Sequence, residues 1–244
     1  KRAEGEGAAS CASVLCSWPM PLLVSLRSSQ GFANFAFLEV VPLWAISSRG
    51  LGGLELNERD LGSILALSAV ASGAFMIFGL PRVTSFLGLR RSAALANGVA
   101  AMNMGLLPHV TNTAGLAVLH ILNSSCVGTL AASYIACINN SVPAEQRATV
   151  NGICVSFESL AKGIGPLGAS LAFAWTLQHW GFRGHGAVFF FISALHALLC
   201  MGTLFLPIEV EGGHAQAAGF EKARSSPVAA SDPAPHMMGR PAKA

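Results

Sequence analysis

The sequence predicts an all-α integral membrane protein folded as a six-helix bundle, and three observations carry that expectation. Hydrophobic residues make up 52% of the 244 positions and charged residues 11%. An ordinary globular protein carries roughly a quarter charged residues, so this chain lacks the polar surface to stay dissolved. Six stretches approach the roughly 20 mostly apolar residues that a helix needs to cross a hydrocarbon core of about 30 Å. The linkers between those stretches carry an ordered charge pattern. The length would also allow one or two water-soluble domains, but the composition argues against them.

Helical form is required in hydrocarbon because an unpaired backbone group finds no water there. The first span runs from about Ser29 to Ser47, rich in Phe32, Phe35, Phe37, Leu38 and Trp44 and interrupted by Glu39 and Pro42. The second runs from Leu61 to Leu80 and stops at Pro81. The third, Ser92 to Leu107, is short, and Ala94, Gly98, Ala101 and Gly105 along it permit close contact with a neighbouring helix. Thr113 to Ile138 is the fourth, with a mildly polar centre at Asn123, Ser124 and Ser125. Thr149 to about Leu177 forms the fifth and Ala187 to Leu206 the sixth.

Residues 1–28 read as an N-terminal flank, residues 29–208 as the six-span domain, and residues 209–244 as a disordered cytoplasmic tail. The tail's glycines, alanines, serines and Pro227, Pro233, Pro235 and Pro241 offer no period that could form a packed face. Val14 to Val24 is apolar but broken by Pro19 and Pro21, which argues against a signal peptide. The chain opens on Lys1, so the expectation is a piece of a longer protein.

Charge in the linkers orients the array. Arg82, Arg90 and Arg91 lie between the second and third spans with no acid, whereas Arg49 to Asp60 sets Glu55, Glu58 and Asp60 against two arginines. Basic residues mark the cytoplasmic side, which places the first of these linkers there. An even number of spans then puts both termini in the cytoplasm; Lys1, Arg2, Arg27 and Arg147 agree, and Arg183 disagrees.

Several classes of chemistry find no support. The net charge of +3 is small and the basic residues are scattered, so nucleic acid is not indicated as a partner. The cysteines at 11, 16, 126, 137, 154 and 200 show no metal-type pairing and read as small hydrophobes. His120 and His196 read as satisfied core histidines, no serine lies in a nucleophile elbow, and Gly98 and Gly105 form no phosphate loop. Neither an enzyme nor a bound cofactor or metal is expected.

The polar interruptions point to function. Glu39 sits near the middle of the first span, where a charged acid costs at least about 2.5 kcal/mol. Hydrocarbon favours its neutral form, so it could alternately hold and release a proton, or a neighbouring helix could satisfy it permanently. Glu158 and Lys162 stand one turn apart in the favourable acid-before-base order. They either line a water-filled cavity that meets substrate or form a helix-locking bridge near the cytoplasmic end. Gly163, Gly165, Pro166 and Gly168 follow directly. Pro166 cannot donate to the Lys162 carbonyl, and the glycines allow a bend or close packing, so this segment is either a conformational hinge or a static kink. Pro42 could loosen the first span in the same way just beyond Glu39.

The ordered spans resemble the C-terminal half of a major facilitator superfamily transporter, in the branch of zinc-induced-facilitator-like and drug-antiporter-like proteins. The resemblance covers about Gln30 to Leu206. It rests on Glu39-Val40-Val41-Pro42-Leu43-Trp44-Ala45, on Pro81-Arg82-Val83 through Leu87-Gly88-Leu89-Arg90-Arg91, and on Val142-Pro143-Ala144-Glu145-Gln146-Arg147-Ala148-Thr149-Val150-Asn151-Gly152 with Lys162 to Gly168 behind it. It implies that the loop with Arg82, Gly88, Arg90 and Arg91 acts as a cytoplasmic gate, although Ser85 and Phe86 replace that loop's usual acid and following base. It also implies a missing N-terminal half or a second bundle, because such carriers hold substrate between two bundles.

Three classes of function follow. A secondary carrier exporting a small solute in exchange for protons accounts for the spans, the internal ions and the bendable segment together. A nontransporting membrane scaffold or an inactive transporter fragment accounts for the spans alone. An intramembrane enzyme would need a catalytic constellation that the sequence does not supply. The lipid bilayer is a partner in every reading.

Overall fold

In the computed structural model, residues 15–212 are described. They form six principal helices: α1 (Met20–Ile46), α2 (Glu58–Leu87), α3 (Leu89–Leu106), α4 (Thr113–Asn140), α5 (Arg147–Trp180) and α6 (Ala187–Leu204). Short 3₁₀ turns such as Arg49–Leu51, Leu107–His109 and Gly181–Gly184 join them. The N-terminal residues of the flank and the tail beyond residue 212 lie outside the described residues.

The helix starts follow local chemistry. Asn57 and Asn112 stand at the N-caps of α2 and α4, where their side chains accept from the backbone N–H of Asp60 at 2.9 Å and Gly115 at 2.7 Å. Helix α1 begins at Met20 and not at Ser29, and Arg27 is therefore a helix residue and not part of a linker. Pro19 and Pro21 do not break it, because they fall at the N-cap and first turn, where a missing N–H has no intrahelical partner to lose.

A second expectation also fails. Helix α2 does not stop at Pro81 but continues to Leu87 through a π turn at Phe75–Gly79. The carbonyl that the Pro81 ring would crowd belongs to Ile77, inside the wider π turn, which relieves the clash. The π turn also sets Met76 against Gly128 of α4, where no side chain would fit.

The helices alternate in direction. Arg27 of α1 meets Glu158 of α5, and further along both helices Phe35 meets Lys162 while Phe32 and Ala36 flank Gly165, so these two run parallel. Against α6, α1 runs antiparallel: Leu26 lies by Gly202, and Trp44 meets Phe189 edge-on with ring centroids 5.7 Å apart. The start of α1 and the end of α6 consequently share one end of the bundle with the α2–α3 and α4–α5 linkers.

Two apolar clusters fill the bundle. One, at that shared end, includes Met20, Leu23, Leu89, Ile138, Val142, Val150 and Leu206. The other, toward the opposite end, includes Phe37, Trp44, Leu61, Leu116, Phe173 and Phe189. The small residues of α3 form its contact with α6 as their spacing implies: Cys200 Sγ donates to the Ala94 carbonyl at 3.2 Å and Ser193 Oγ to the Ala101 carbonyl at 2.7 Å. Gly98 and Gly105 lie beside the same two side chains.

Tyr134 Oη, Thr203 Oγ1 and Asn97 Nδ2 form a buried hydrogen-bonded group joining α3, α4 and α6. His196 Nδ1 completes it 3.1 Å from Asn97 Oδ1, and since a carbonyl oxygen only accepts, that ring nitrogen carries the proton. His196 is thus a satisfied core histidine. His120 is likewise buried, against Phe37 with ring centroids 5.4 Å apart.

Helices α2, α4 and α6 are long and apolar enough to cross a membrane by length and composition. The chain is a multi-pass integral membrane protein. Each of the other three helices carries charged side chains: Arg27 and Glu39 on α1, Arg90 and Arg91 on α3, Glu158 and Lys162 on α5.

Candidate functional site: an ion cluster between two helices

Glu158 and Lys162 meet as their spacing implies, with Nζ 2.8 Å from Oε1. The other carboxylate oxygen faces α1. Arg27 places Nη2 2.7 Å and Nε 2.9 Å from Glu158 Oε2, so one carboxylate is held by two cations from opposite sides. The side chain of Arg27 is 10% exposed and that of Glu158 14%, against 36% for Lys162. Two positive charges face one negative charge, which leaves the cluster at +1.

Helix geometry builds this contact. Arg27, Gly31 and Phe35 are spaced by four, so they lie along one face of α1. Gly31 is there because a Cβ would come 3.0 Å from Glu158 Cγ. Phe35 presents its ring to Lys162, whose Nζ lies 5.2 Å from the centroid. One turn beyond, a Cβ on Gly165 would come 2.9 Å from the Phe32 carbonyl oxygen, so this glycine sets the close approach of α1 and α5.

One donor remains unused. Arg27 Nη1 is buried and makes no hydrogen bond. A buried charged donor without a partner costs more than a neutral one, which marks this edge of the guanidinium as an unfilled position.

The remaining candidate residues lie elsewhere. Glu39 is exposed on α1, makes no hydrogen bond or ion pair among the described residues, and stands about 18 Å along the helix from Arg27 at the ordinary rise per residue. The structure does not bring it to Glu158. Pro42 lies inside α1 and Pro166 inside α5, both in helices that continue past them. Gly163 and Gly168 face open space, unlike Gly165.

The basic residues of the α2–α3 linker are dispersed. The linker is the single residue Gly88, at φ +80°. Arg82 donates back to the Phe78 carbonyl in its own helix, and Arg91 is exposed. Arg90 docks under the end of α6, donating Nη1 to the Leu206 carbonyl at 2.8 Å, while its backbone N–H donates to Glu211 Oε1 at 2.9 Å. Glu211 belongs to a 3₁₀ turn, Ile208–Glu211, so ordered chain extends beyond residue 208.

Sequence reasoning missed Arg27 because its partner is 131 positions away. The available signal was a lone arginine four residues before a glycine and eight before a phenylalanine, which few would read as a site. Among the described residues, no group of three His, Cys, Asp or Glu side chains could hold a metal ion. An apolar cavity of about 460 Å³ lies among α1, α5 and α6, lined by Phe32, Gly168, Trp175, Trp180 and Phe191 and by no charged side chain.

Comparison with known proteins agrees with a transporter-type bundle. The chain is 29% identical over 170 residues to Protein ZINC INDUCED FACILITATOR 1 of Arabidopsis thaliana, covering 67% of this chain and 35% of that protein. It is 29% identical over 195 residues to ZINC INDUCED FACILITATOR-LIKE 1 of the same plant, covering 76% and 41%. A third Arabidopsis protein, described as a probable peptide/nitrate transporter, is 25% identical over 169 residues, covering 67% and 35%. No family model matches the chain. The chain spans well under half the length of these relatives. The similarity, over part of the chain, is to transporters of the major facilitator type, and the all-α six-helix bundle is consistent with one half of that fold.

Proposed function

We propose that this chain forms one bundle of a two-bundle secondary carrier that moves a small solute across a membrane, with proton-coupled export as the mode. The observation that carries the proposal is the Arg27–Glu158–Lys162 cluster. Three ionised groups inside a multi-pass bundle are expensive in hydrocarbon and mark solute or ion pathways by default. The similarity to named facilitators and transporters supports the same reading.

In this proposal all six helices cross the bilayer, both termini face the cytoplasm, and a missing N-terminal half or a second bundle covers the exposed sides of α1 and α5. Glu158 and Lys162 belong to the site that meets the solute, and Arg27 completes that site while holding Glu158 in place. Glu39, exposed and unpaired on its own bundle, is the proton carrier facing the second bundle. Gly163, Pro166 and Gly168 let the two ends of α5 move relative to each other, since the two glycines have open space around them and Pro166 gives up a helix hydrogen bond, and Pro42 does the same for α1. Gly165 has a different role: it holds α5 against α1 while the rest bends. Arg82, Gly88, Arg90 and Arg91 form the cytoplasmic gate, with Arg90 anchoring the loop to α6.

Proteoliposomes carrying the full-length protein should show solute flux driven by a pH gradient, and Glu39→Gln should abolish the dependence on that gradient. Absence of flux in folded protein would instead favour the scaffold reading, in which Arg27 and Glu158 are a stationary clamp.

A further inference from the structure

We propose that the ion cluster is a binding site for a single carboxylate, so that the solute is a carboxylate-bearing organic molecule held by Arg27 and Lys162. The inference deepens the carrier reading and rests on it. Charge is the first reason. Arg27 and Lys162 together carry +2 against −1 on Glu158, so one further monoanion makes the cluster neutral, whereas a dianionic phosphate would leave it negative.

Unfilled donors are the second reason. Glu158 Oε2 takes both Nε and Nη2 of Arg27, which leaves Nη1 buried and unpartnered. Lys162 makes one ion pair with its three donors and is 36% exposed, so it is the part of the cluster that an incoming anion meets first. Planar guanidinium groups pair with carboxylates through two adjacent nitrogens. The Nη1–Nη2 edge is separate from the Nε–Nη2 edge that Glu158 takes, so an anion engaging Nη1 adds to the Glu158 contact, and the two carboxylates repel each other across the guanidinium. Phe35, under the Lys162 ammonium, gives the solute an apolar surface beside its charge.

The test is thermal unfolding of the purified full-length protein in nanodiscs, followed by tryptophan fluorescence. Sodium acetate and sodium lactate are the probes, compared at equal ionic strength with sodium chloride, sodium phosphate and choline chloride. Acetate and lactate should stabilise the protein saturably and the other salts should not. Arg27→Gln and Lys162→Gln should each weaken the apparent affinity about tenfold or more, the effect of one charge-assisted hydrogen bond. Glu158→Gln should strengthen it by a similar factor, because it removes the like charge beside the incoming anion and leaves both cations. Arg27→Lys, which keeps the charge, should retain weakened binding and guards against loss of fold in Arg27→Gln.

A cluster that serves only to lock helices predicts the opposite sign for Glu158→Gln: destabilisation with no gain in anion binding, which would overturn the proposal. Stabilisation by choline or phosphate in preference to acetate would overturn it too. Carboxylate binding without flux would sink the carrier reading and leave the site standing; flux of a cationic solute without carboxylate binding would do the reverse.

Discussion

Arg27→Gln should destabilise the bundle several times more than Lys162→Gln, although both side chains touch the same carboxylate. Arg27 is one-tenth exposed and donates two nitrogens to Oε2, while Lys162 is about one-third exposed and gives one contact to Oε1. Removing one partner of a buried ion pair costs about 3 to 5 kcal/mol because the remaining charge is stranded. Lys162 still compensates Glu158 when Arg27 is gone, so the lower end, about 3 kcal/mol, is expected. Lys162 is partly solvated, and its ion pair is worth about 1 kcal/mol or less. The assay is equilibrium unfolding in mixed micelles of both single variants, together with a double-mutant cycle of Arg27→Gln and Glu158→Gln. The cycle should return a coupling of about 2 kcal/mol or more, since the double variant strands no carboxylate at Glu158. Equal losses for Arg27→Gln and Lys162→Gln, or a coupling below about 0.5 kcal/mol, would refute the view that burial sets the strength of this pair.

Other outcomes concern the glycines and the buried tyrosine. Gly165→Ala should cost about 1 to 3 kcal/mol, because its Cβ would press on the Phe32 carbonyl 2.9 Å away, whereas Gly163→Ala, with open space around it, should hold or slightly raise stability in the same unfolding assay. If Gly163 serves as part of a hinge, that same variant should slow flux in proteoliposomes while remaining fully folded. Gly88→Ala should lower stability by about 1 to 3 kcal/mol, since φ +80° disfavours a side chain and Glu211 Oε2 lies 2.9 Å from the added Cβ; thermal unfolding beside wild type would show it. Tyr134→Phe should cost about 1 to 3 kcal/mol, measured likewise, because it removes the hydroxyl between Asn97 and Thr203 and leaves the buried Asn97 amide only its longer, 3.4 Å contact to Thr203.

The sequence by itself determined the helices, since apolar runs and the backbone's need for internal hydrogen bonds are both local. Six helices, the α3 contact stripe and the Glu158–Lys162 pair were all legible at short range. Prolines misled twice. At Pro19 and Pro21 the sequence shows a breaker, but whether a proline falls at a helix start depends on where the chain enters the bundle. At Pro81, a π turn whose widening is paired with the Met76–Gly128 contact carries the helix onward. Tertiary structure alone decided the site. Arg27 reads as one more basic flank residue until α1 and α5 lie parallel and Gly31 and Gly165 let them approach, at which point it becomes the buried partner of Glu158. The same packing separates Glu39 from the cluster and spreads the linker arginines apart. Charge partners in a bundle are chosen by which helices touch, and that is a property of the whole assembly that no local window contains.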